Sequence, residues 1–329
     1  MTTSDPSPDE LVSAVATATR APSVHNTQPW LFRIAEAGVD VHADRRRQLA
    51  VSDAAGSALR VSCGAAVFNL RLAFAHLGYA AETRILPEPG AGDLLARVTA
   101  TGRRPPTPDE EGLYAAVPRR HSNRQPFLDT AVPLAIRTDL LGAARSEGCW
   151  LDFILGPVAL EMVAELVRDA DRILLMNPAY RDELADWTRL EDSADGVPSR
   201  AGGPSPEPHD LLVQRDFGGP PRSPGRDFET DPLIGVLGGR DGTPHDEIMS
   251  GQALQHVLLA ATRAGLVTSM LSQPIEVPAV RERLRIGLRR HGQPQMLLRF
   301  GYGVPGSSTP RRPVSEVLLP TDASLAAQL

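Results

Sequence analysis

The sequence predicts a mixed helix-and-strand protein built from two tandem, degenerate halves. Two long apolar helical patterns, Gly56 to Leu77 and Glu247 to Ala264, align at an offset of 187 residues. At that offset Gly64, Ala66, Leu72, Ala73 and Gly78 match Gly251, Ala253, Leu259, Ala260 and Gly265. A strand pattern led by tryptophan precedes each helix, Trp30-Leu31-Phe32 and Trp150-Leu151-Asp152-Phe153. An Arg-Arg-Pro follows each half's later strand pattern, Arg103-Arg104-Pro105 and Arg311-Arg312-Pro313.

The elements follow in order. Ser7-Pro8-Asp9-Glu10 starts a helix: a capping serine, proline at the first position, acids in the first turn. Pro22 stops it. Trp30–Ile34 and Val39–Ala43 flank Gly38 and predict a hairpin. The helix from Gly56 carries Leu59, Cys63, Ala66, Leu70, Phe74 and Leu77 on one face, and Gly78 closes it. Runs at Ala81–Leu86 and Leu94–Thr101 are strand-like, and the proline-rich 102–108 is a connector. The spacing then predicts helices over Asp109–Val117, Leu134–Arg145 and Val158–Met176, with another continuing to Leu190. Strands are expected at Trp150–Leu155, Pro232–Leu237 and Gln295–Tyr302, and a last helix at Val277–Leu288. Residues 192–230 are rich in Gly, Pro, Ser and Asp and show no period, as in a disordered segment or a functional lid. The expected boundaries are one half over 1–105 and a second over 109–329 that carries the insertion 192–230.

Composition narrows the function classes. The chain has 329 residues, 42% hydrophobic and 22% charged, with a net charge of −6. No basic field points to nucleic acid. Every one of its 34 Lys+Arg residues is arginine, so motif position has to distinguish functional arginines from ordinary ones. Cys63 and Cys149 make neither a metal-ligand spacing nor a disulfide framework, and the eight histidines are scattered, so no metal site is expected. The polar, acidic first ten residues and the charged interruptions of every apolar run predict no signal peptide and no membrane span. A cytoplasmic location is the expectation. Gly301-Tyr302-Gly303-Val304-Pro305-Gly306 matches a dinucleotide fingerprint, but the prolines beyond it deny the helix that a pyrophosphate would need.

Two polar clusters remain. Ala21-Pro22-Ser23-Val24-His25-Asn26-Thr27-Gln28-Pro29-Trp30 lies between the first helix and the first strand. Ser23, Asn26 and Gln28 offer hydroxyl and amide groups that suit a ring bearing donors and acceptors. They would serve equally as a capped loop, with His25 a satisfied loop histidine and Trp30 a core residue. Arg119-Arg120-His121-Ser122-Asn123-Arg124 opens the second half. On an extended segment Arg120, Ser122 and Arg124 share a side, and two guanidiniums about a hydroxyl suit a phosphate dianion. A solvated turn fits the same residues. Arg311 and Arg312 are a further candidate pair or surface charge. Each half carries one cluster and lacks the other, so packing about a pseudo-twofold axis would leave one composite site.

The first cluster resembles the P-S-x-x-N-x-Q-P-W segment of the nitroreductase family, and the second its R-R-x-S-x-R segment. Gly251 to Gly265, then Pro294 to Gly303 and Arg311-Arg312-Pro313, look like that family's central helix and C-terminal end. The order of the motifs in one long chain is similar to the Acg-type subfamily, in which a fused pair replaces the homodimer. The resemblance implies an α+β, nitroreductase-like fold with antiparallel sheets flanked by helices, a monomeric intramolecular pseudodimer, and one FMN. It implies that Arg120, Ser122, Arg124 and one of Arg311 or Arg312 hold the phosphate. Ser23, Asn26, Gln28 and His25 would meet the flavin ring. It also implies ping-pong reduction by NAD(P)H and transfer to a small nitro compound or quinone, with no dedicated catalytic acid or base. The alternative it implies is a flavin-sequestering protein with little turnover, because the subfamily folds a segment such as 192–230 over the flavin.

Overall fold

The computed structural model describes residues 5–88, 90, 92–189, 193–207 and 210–320. Its elements are α1 (Pro8–Ala18), β1 (Trp30–Ala35), β2 (Gly38–Ala43), α2 (Ser57–His76), β3 (Tyr79–Ile85), β4 (Leu94–Arg103), α3 (Pro108–Ala116) and α4 (Leu134–Ser146). Then come β5 (Trp150–Ile154), α5 (Pro157–Met176), α6 (Pro178–Asp186), β6 (Thr188–Arg189), β7 (Val197–Pro198), β8 (Leu233–Gly238) and α7 (Pro244–Arg263). The chain finishes with β9 (Val267–Leu271), α8 (Gln273–Glu276), α9 (Pro278–Gly287), β10 (Pro294–Gly301) and α10 (Val314–Val317).

Two four-stranded antiparallel sheets carry the fold, in the orders β1-β2-β4-β3 and β5-β8-β10-β9. The two orders are the same: a pair of strands, a long helix, then a second pair whose last strand lies inside. Each tryptophan strand is the edge of its sheet. Trp30 is fully buried, as a core residue should be, and Cys63 is buried with its thiol donating to the Pro29 carbonyl. The C-terminal segment leaves β10, runs past residues 19–28 and pairs Leu318 with Phe32 on the free edge of β1.

Local signals account for most boundaries. Ser7 and Glu10 form a reciprocal capping box on α1, and Thr107 and Glu110 form another on α3. Thr243 caps α7 with Pro244 at its first position, which starts that helix three residues before its apolar pattern does. The helix expected to reach Leu190 ends instead at Asp186: Thr188 and Arg189 pair in parallel with Val197 and Pro198, and Leu190 lies outside the described residues. Beyond β10 the nearest helix is α10, so the 301–306 glycines open no helix.

Helices α2 and α7 pack against each other at their backbones. A Cβ on Gly64 would overlap the carbonyl oxygen of Ile248, and one on Gly251 would overlap that of Val61. These two contacts exchange under the sequence offset that aligned the helices. So do Asn69 with Gln255, joined by a 2.7 Å amide hydrogen bond, and Phe68 with His256, stacked at 4.8 Å. Side chains from both helices, α3 and α4 fill the core between them. Among the described residues α2 is the one helix long and apolar enough to cross a membrane, and 83% of its apolar window is buried inside the protein.

Backbone contact of this kind admits only glycine, so Gly64→Ala and Gly251→Ala should each cost about 1–3 kcal/mol through forced separation of the helices. Gly142→Ala, in α4 with no atom within 4 Å of the new methyl, should be neutral or up to ~1 kcal/mol more stable. Urea denaturation of the three variants checks this; equal midpoints would mean the α2–α7 contact is not tight.

Candidate functional site

The first motif is a strained turn. His25, Asn26 and Gln28 all adopt positive φ, at 51°, 55° and 51°. Three left-handed non-glycine residues in four positions cost about 1–3 kcal/mol each and persist only when their surroundings hold them. Here the surroundings are two distant segments. The Asn26 amide donates to the carbonyls of Gly196 at 2.9 Å and Pro310 at 3.1 Å. The Gln28 amide donates to Ala194 O at 2.8 Å and accepts from Arg312 N at 2.8 Å. Ser23 Oγ accepts from Gln28 N at 2.9 Å and closes the turn on itself. The motif thus pins residues 194–196 and 310–312 to the first half.

The candidate cations fall into two groups. Arg311 donates to the carbonyls of Thr19 and Ala21 and, at 3.0 Å, to Asn26 Oδ1. Burial pulls its guanidinium down to about 9, and Arg120 and Arg20 add repulsion. Arg120 is buried, pulled down to about 10 by desolvation; its Nε has no partner among the described residues, and its Nη2 donates to Arg20 O over a long 3.4 Å. His121 beside them is lowered by burial and by the same arginines. Arg124 is in the second group. It lies over the Phe217 ring at 4.8 Å, donates to Ala201 O, and is pulled down to about 10 by burial and Arg215. No carboxylate pairs with Arg120, Arg124 or Arg311 among the described residues. Burying a cation without an anion is costly. Arg215 and Arg299, which are buried, are each paired, with Glu276 at 2.7 Å and Glu229 at 3.2 Å, whereas of the unpaired three Arg120 is buried and Arg124 and Arg311 are half-buried.

Ser122 is held by a backbone bridge to Thr268, which ties the arginine segment to β9. Arg312 differs from Arg311: its guanidinium faces Asp44 and Glu316 and donates to Glu316 O at 2.8 Å. The structure therefore brings Arg120 and Arg311 together, joins Arg311 to Asn26, and sets Arg124 apart with Ser23 and His25.

Ser23, His25 and Arg124 line a cavity of about 310 Å³. One wall is the start of α2, the opposite wall is the β9–α8 turn with β10, and residues 214–217 cover it. Its polar atoms are conspicuously unpaired. Gln214 Nε2, Arg215 Nε, Glu276 Oε1, both amide atoms of Gln295 and Arg281 Nη2 are buried without partners. His25 adds one more. Arg215 can only donate, so at 2.7 Å His25 Nε2 accepts. The neutral ring then carries its proton on Nδ1, which is buried and has no acceptor. Burial first, then Arg215 and Arg124, hold the His25 pKa well below its usual value. Asp53 also lines the cavity, with both oxygens taking N–H groups of Ala58 and Leu59; burial raises it to about 6.

Within 192–230, the described residues Ala194 to Gly196 contact the first motif and Gln214, Arg215 and Phe217 line the cavity. Asp195 pairs with Arg47 at 2.9 Å, Val197, Ala201 and Phe217 form a small core, and Arg215 reaches between His25 and Glu276. Asp192 lies outside the described residues. Sequence reasoning missed Gln214, Arg215 and Phe217 because the segment has no period. It missed Glu276, Arg281 and Gln295 because a buried charge or amide is spelled the same as an exposed one. Among the described residues no group of His, Cys, Asp and Glu could hold a metal ion.

The chain is 31% identical over 328 residues to the Mycobacterium tuberculosis protein named "Putative NAD(P)H nitroreductase Rv3131", covering 97% of this chain and 93% of that one. It is 28% identical over 316 residues to the acg protein of the same organism, named as an NAD(P)H nitroreductase in the same way, covering 94% and 95%. No protein-family model matches the chain. The solved structure of the NADPH:FMN oxidoreductase from Vibrio harveyi complexed with NAD+ superposes with a TM-score of 0.40 at 13% identity, covering 64% of this chain and 77% of that one. That likeness is too slight to carry weight.

A histidine kept neutral in the fold should make stability fall with acid. Above about pH 6.5 neither state binds the proton; below it the unfolded chain does and the folded one resists, costing up to about 1.4 kcal/mol per pH unit. His25→Asn, which tolerates positive φ, should flatten the decline between pH 6.5 and 5 in urea melts. Parallel declines in both proteins would show that His25 takes a proton freely in the folded state.

Proposed function

The chain belongs to the nitroreductase family, and we propose that it is an FMN-dependent oxidoreductase reduced by NAD(P)H, with one flavin site per chain. The observation that carries the reading is the set of guanidiniums around the strained Ser23–Gln28 turn that have no carboxylate partner among the described residues: Arg120, buried, and Arg124 and Arg311, half-buried. A phosphate would supply the missing negative charge. The unpaired polar atoms of His25, Gln214, Arg215 and Glu276 in the adjoining cavity fit the donors and acceptors of a flavin ring. Both features fit FMN, so the residues present agree with the group.

In this reading Arg120 and Arg311 hold the phosphate, with Ser122 nearby and Arg124 between phosphate and ring. Asn26 orients Arg311, and Gln28 orients the C-terminal segment through Arg312 N. Ser23 and the Nδ1–H of His25 face the ring. A bound FMN would supply two-electron chemistry between NAD(P)H and a small organic acceptor such as a nitro compound or a quinone. The protein's contribution is position and electrostatics, with no dedicated acid or base. The matching sheet orders and the reciprocal α2–α7 contacts support an intramolecular pseudodimer with halves near 1–105 and 109–329. A chain that supplies both sides of its site should act as a monomer.

One observation favours a second reading, a flavin-sequestering protein with little turnover. Arg215 and Phe217 of the covering stretch are buried in the site, and Arg215 is locked by Glu276.

The purified protein should be yellow with one FMN per chain. Arg120→Met should fold at least as stably, since it removes an unpaired buried charge, yet bind FMN about 10–100-fold more weakly. Unchanged affinity would remove Arg120 from the site, and a colourless protein that takes up no FMN would sink the proposal. In stopped flow, bleaching of the bound flavin by NADPH supports the reductase. Bleaching by dithionite alone, with NADPH reduction appearing in Arg215→Ala, supports sequestration.

A further inference from the structure

We infer that Arg281 and Gln295 form a hydrogen-bonding subsite that holds an uncharged carbonyl of the acceptor and selects against anionic acceptors. The acceptor's role rests on the flavin reading above; the subsite itself is argued from the cavity wall.

Gln295 sits at a bulge. In the ladder between β10 and β8, Pro294 pairs with Gly238 and Met296 with Leu237, so Gln295 is the extra residue. Consecutive strand residues ordinarily point to opposite faces. The bulge breaks that alternation, and both Gln295 and Met296 line the cavity. Gln295 is 2% exposed, yet neither its Oε1 nor its Nε2 has a partner. An orphaned buried amide is expensive. Next to it, Arg281 Nε donates to Pro294 O at 2.7 Å, which fixes the guanidinium against the bulge. Arg281 Nη2 is buried and unpaired, and the residue also lines the cavity. Two donors and one acceptor therefore share one stretch of wall beside the bulge.

The surrounding charges decide what they hold. Arg281 makes no close ion pair among the described residues, but the acids near it are committed. Glu247 is paired with Arg60, and Asp246 takes the N–H groups of Arg240, Asp241 and Gly242. Both lend Arg281 negative potential. Asp53 lines the same cavity with its carboxylate buried. A carboxylate or sulfonate that gained Arg281 would also meet the negative potential of Glu247 and Asp246. An uncharged carbonyl accepts from Arg281 Nη2 and Gln295 Nε2 without that repulsion. The Gln295 amide has a further use. A quinone that takes a hydride's electron pair and proton from NAD(P)H, plus one proton from water, becomes a hydroquinone. Its former carbonyl is then a hydroxyl, which can donate to Gln295 Oε1. One amide thus complements substrate and product.

The test is calorimetric titration with 1,4-naphthoquinone and, as the anionic control, 1,4-naphthoquinone-2-sulfonate, with flavin content read from the visible spectrum. The wild type should bind the neutral quinone about tenfold more tightly than the sulfonate. Gln295→Met should weaken the neutral quinone about 3–10-fold, and Arg281→Met tenfold or more. Gln295→Met removes only unpaired atoms, so it should keep its flavin and melt no lower than the wild type, which separates this effect from misfolding. The proposal is overturned if Gln295→Met binds the quinone as tightly as the wild type, if it loses flavin, or if the sulfonate binds as well as the quinone. A wild type that takes up no FMN refutes the flavin reading alone; titration of that flavin-free protein still decides the subsite.

Discussion

At Gly64 and Gly251 the backbones of α2 and α7 lie closer than any side chain would permit, and the rest of the molecule is arranged around that contact. It sets the two sheets on opposite sides of a shared helical layer. It also brings the N-terminal turn of α2 opposite β9, α8 and β10, which makes the cavity. Because the contact exchanges under the same offset that aligns the sequences, two walls would be expected. The arginine segment and the covering stretch each occur once in the sequence, so one cavity at most could carry both.

Charge in this protein is distributed by a simple test of pairing. Arg215 and Arg299 are buried and each faces a buried glutamate. Arg120 is as deeply buried, Arg124 and Arg311 are half-buried, and none of the three faces a carboxylate among the described residues. Desolvation alone would favour exposing them. They stay because backbone carbonyls of residues 19–21 and 201 satisfy part of their donors, beside a turn at residues 25–28 that residues 194–196 and 310–312 hold in a strained shape. Strain, unpaired donors and uncompensated cations gather at one place. That combination costs stability and is what a preformed anion site requires.

The covering stretch shows how a segment without periodicity becomes ordered. It has few apolar residues, and only Val197, Ala201 and Phe217 form a core of their own. Its position is set by polar ties to the rest of the fold: Asp195 to Arg47, residues 194–196 to Asn26 and Gln28, and Arg215 to Glu276. The first motif therefore has two duties. Its backbone and Ser23–His25 edge face the cavity, while the amides of Asn26 and Gln28 anchor the cover and the C-terminal segment.

The sequence by itself determined the long helices, the hairpin, the strand pairs and their glycine stops, because burial on one face writes a period of 3.6 or 2 that any core-facing element must keep. It also determined that residues 23–28 and 120–124 stand out, since dense polar groups between prolines have no packing role. Its period failed at Trp187–Arg189, where a tertiary strand pair ends a helix that local propensity would continue. Only the tertiary structure decided which arginine of the pair 311–312 meets Asn26 and which turns to Asp44 and Glu316. Only it placed Arg215, Glu276, Arg281 and Gln295 in the cavity wall. The reason is physical: propensity and periodicity are local, whereas burial of a charge and the pairing of its neighbours depend on segments up to 292 residues apart.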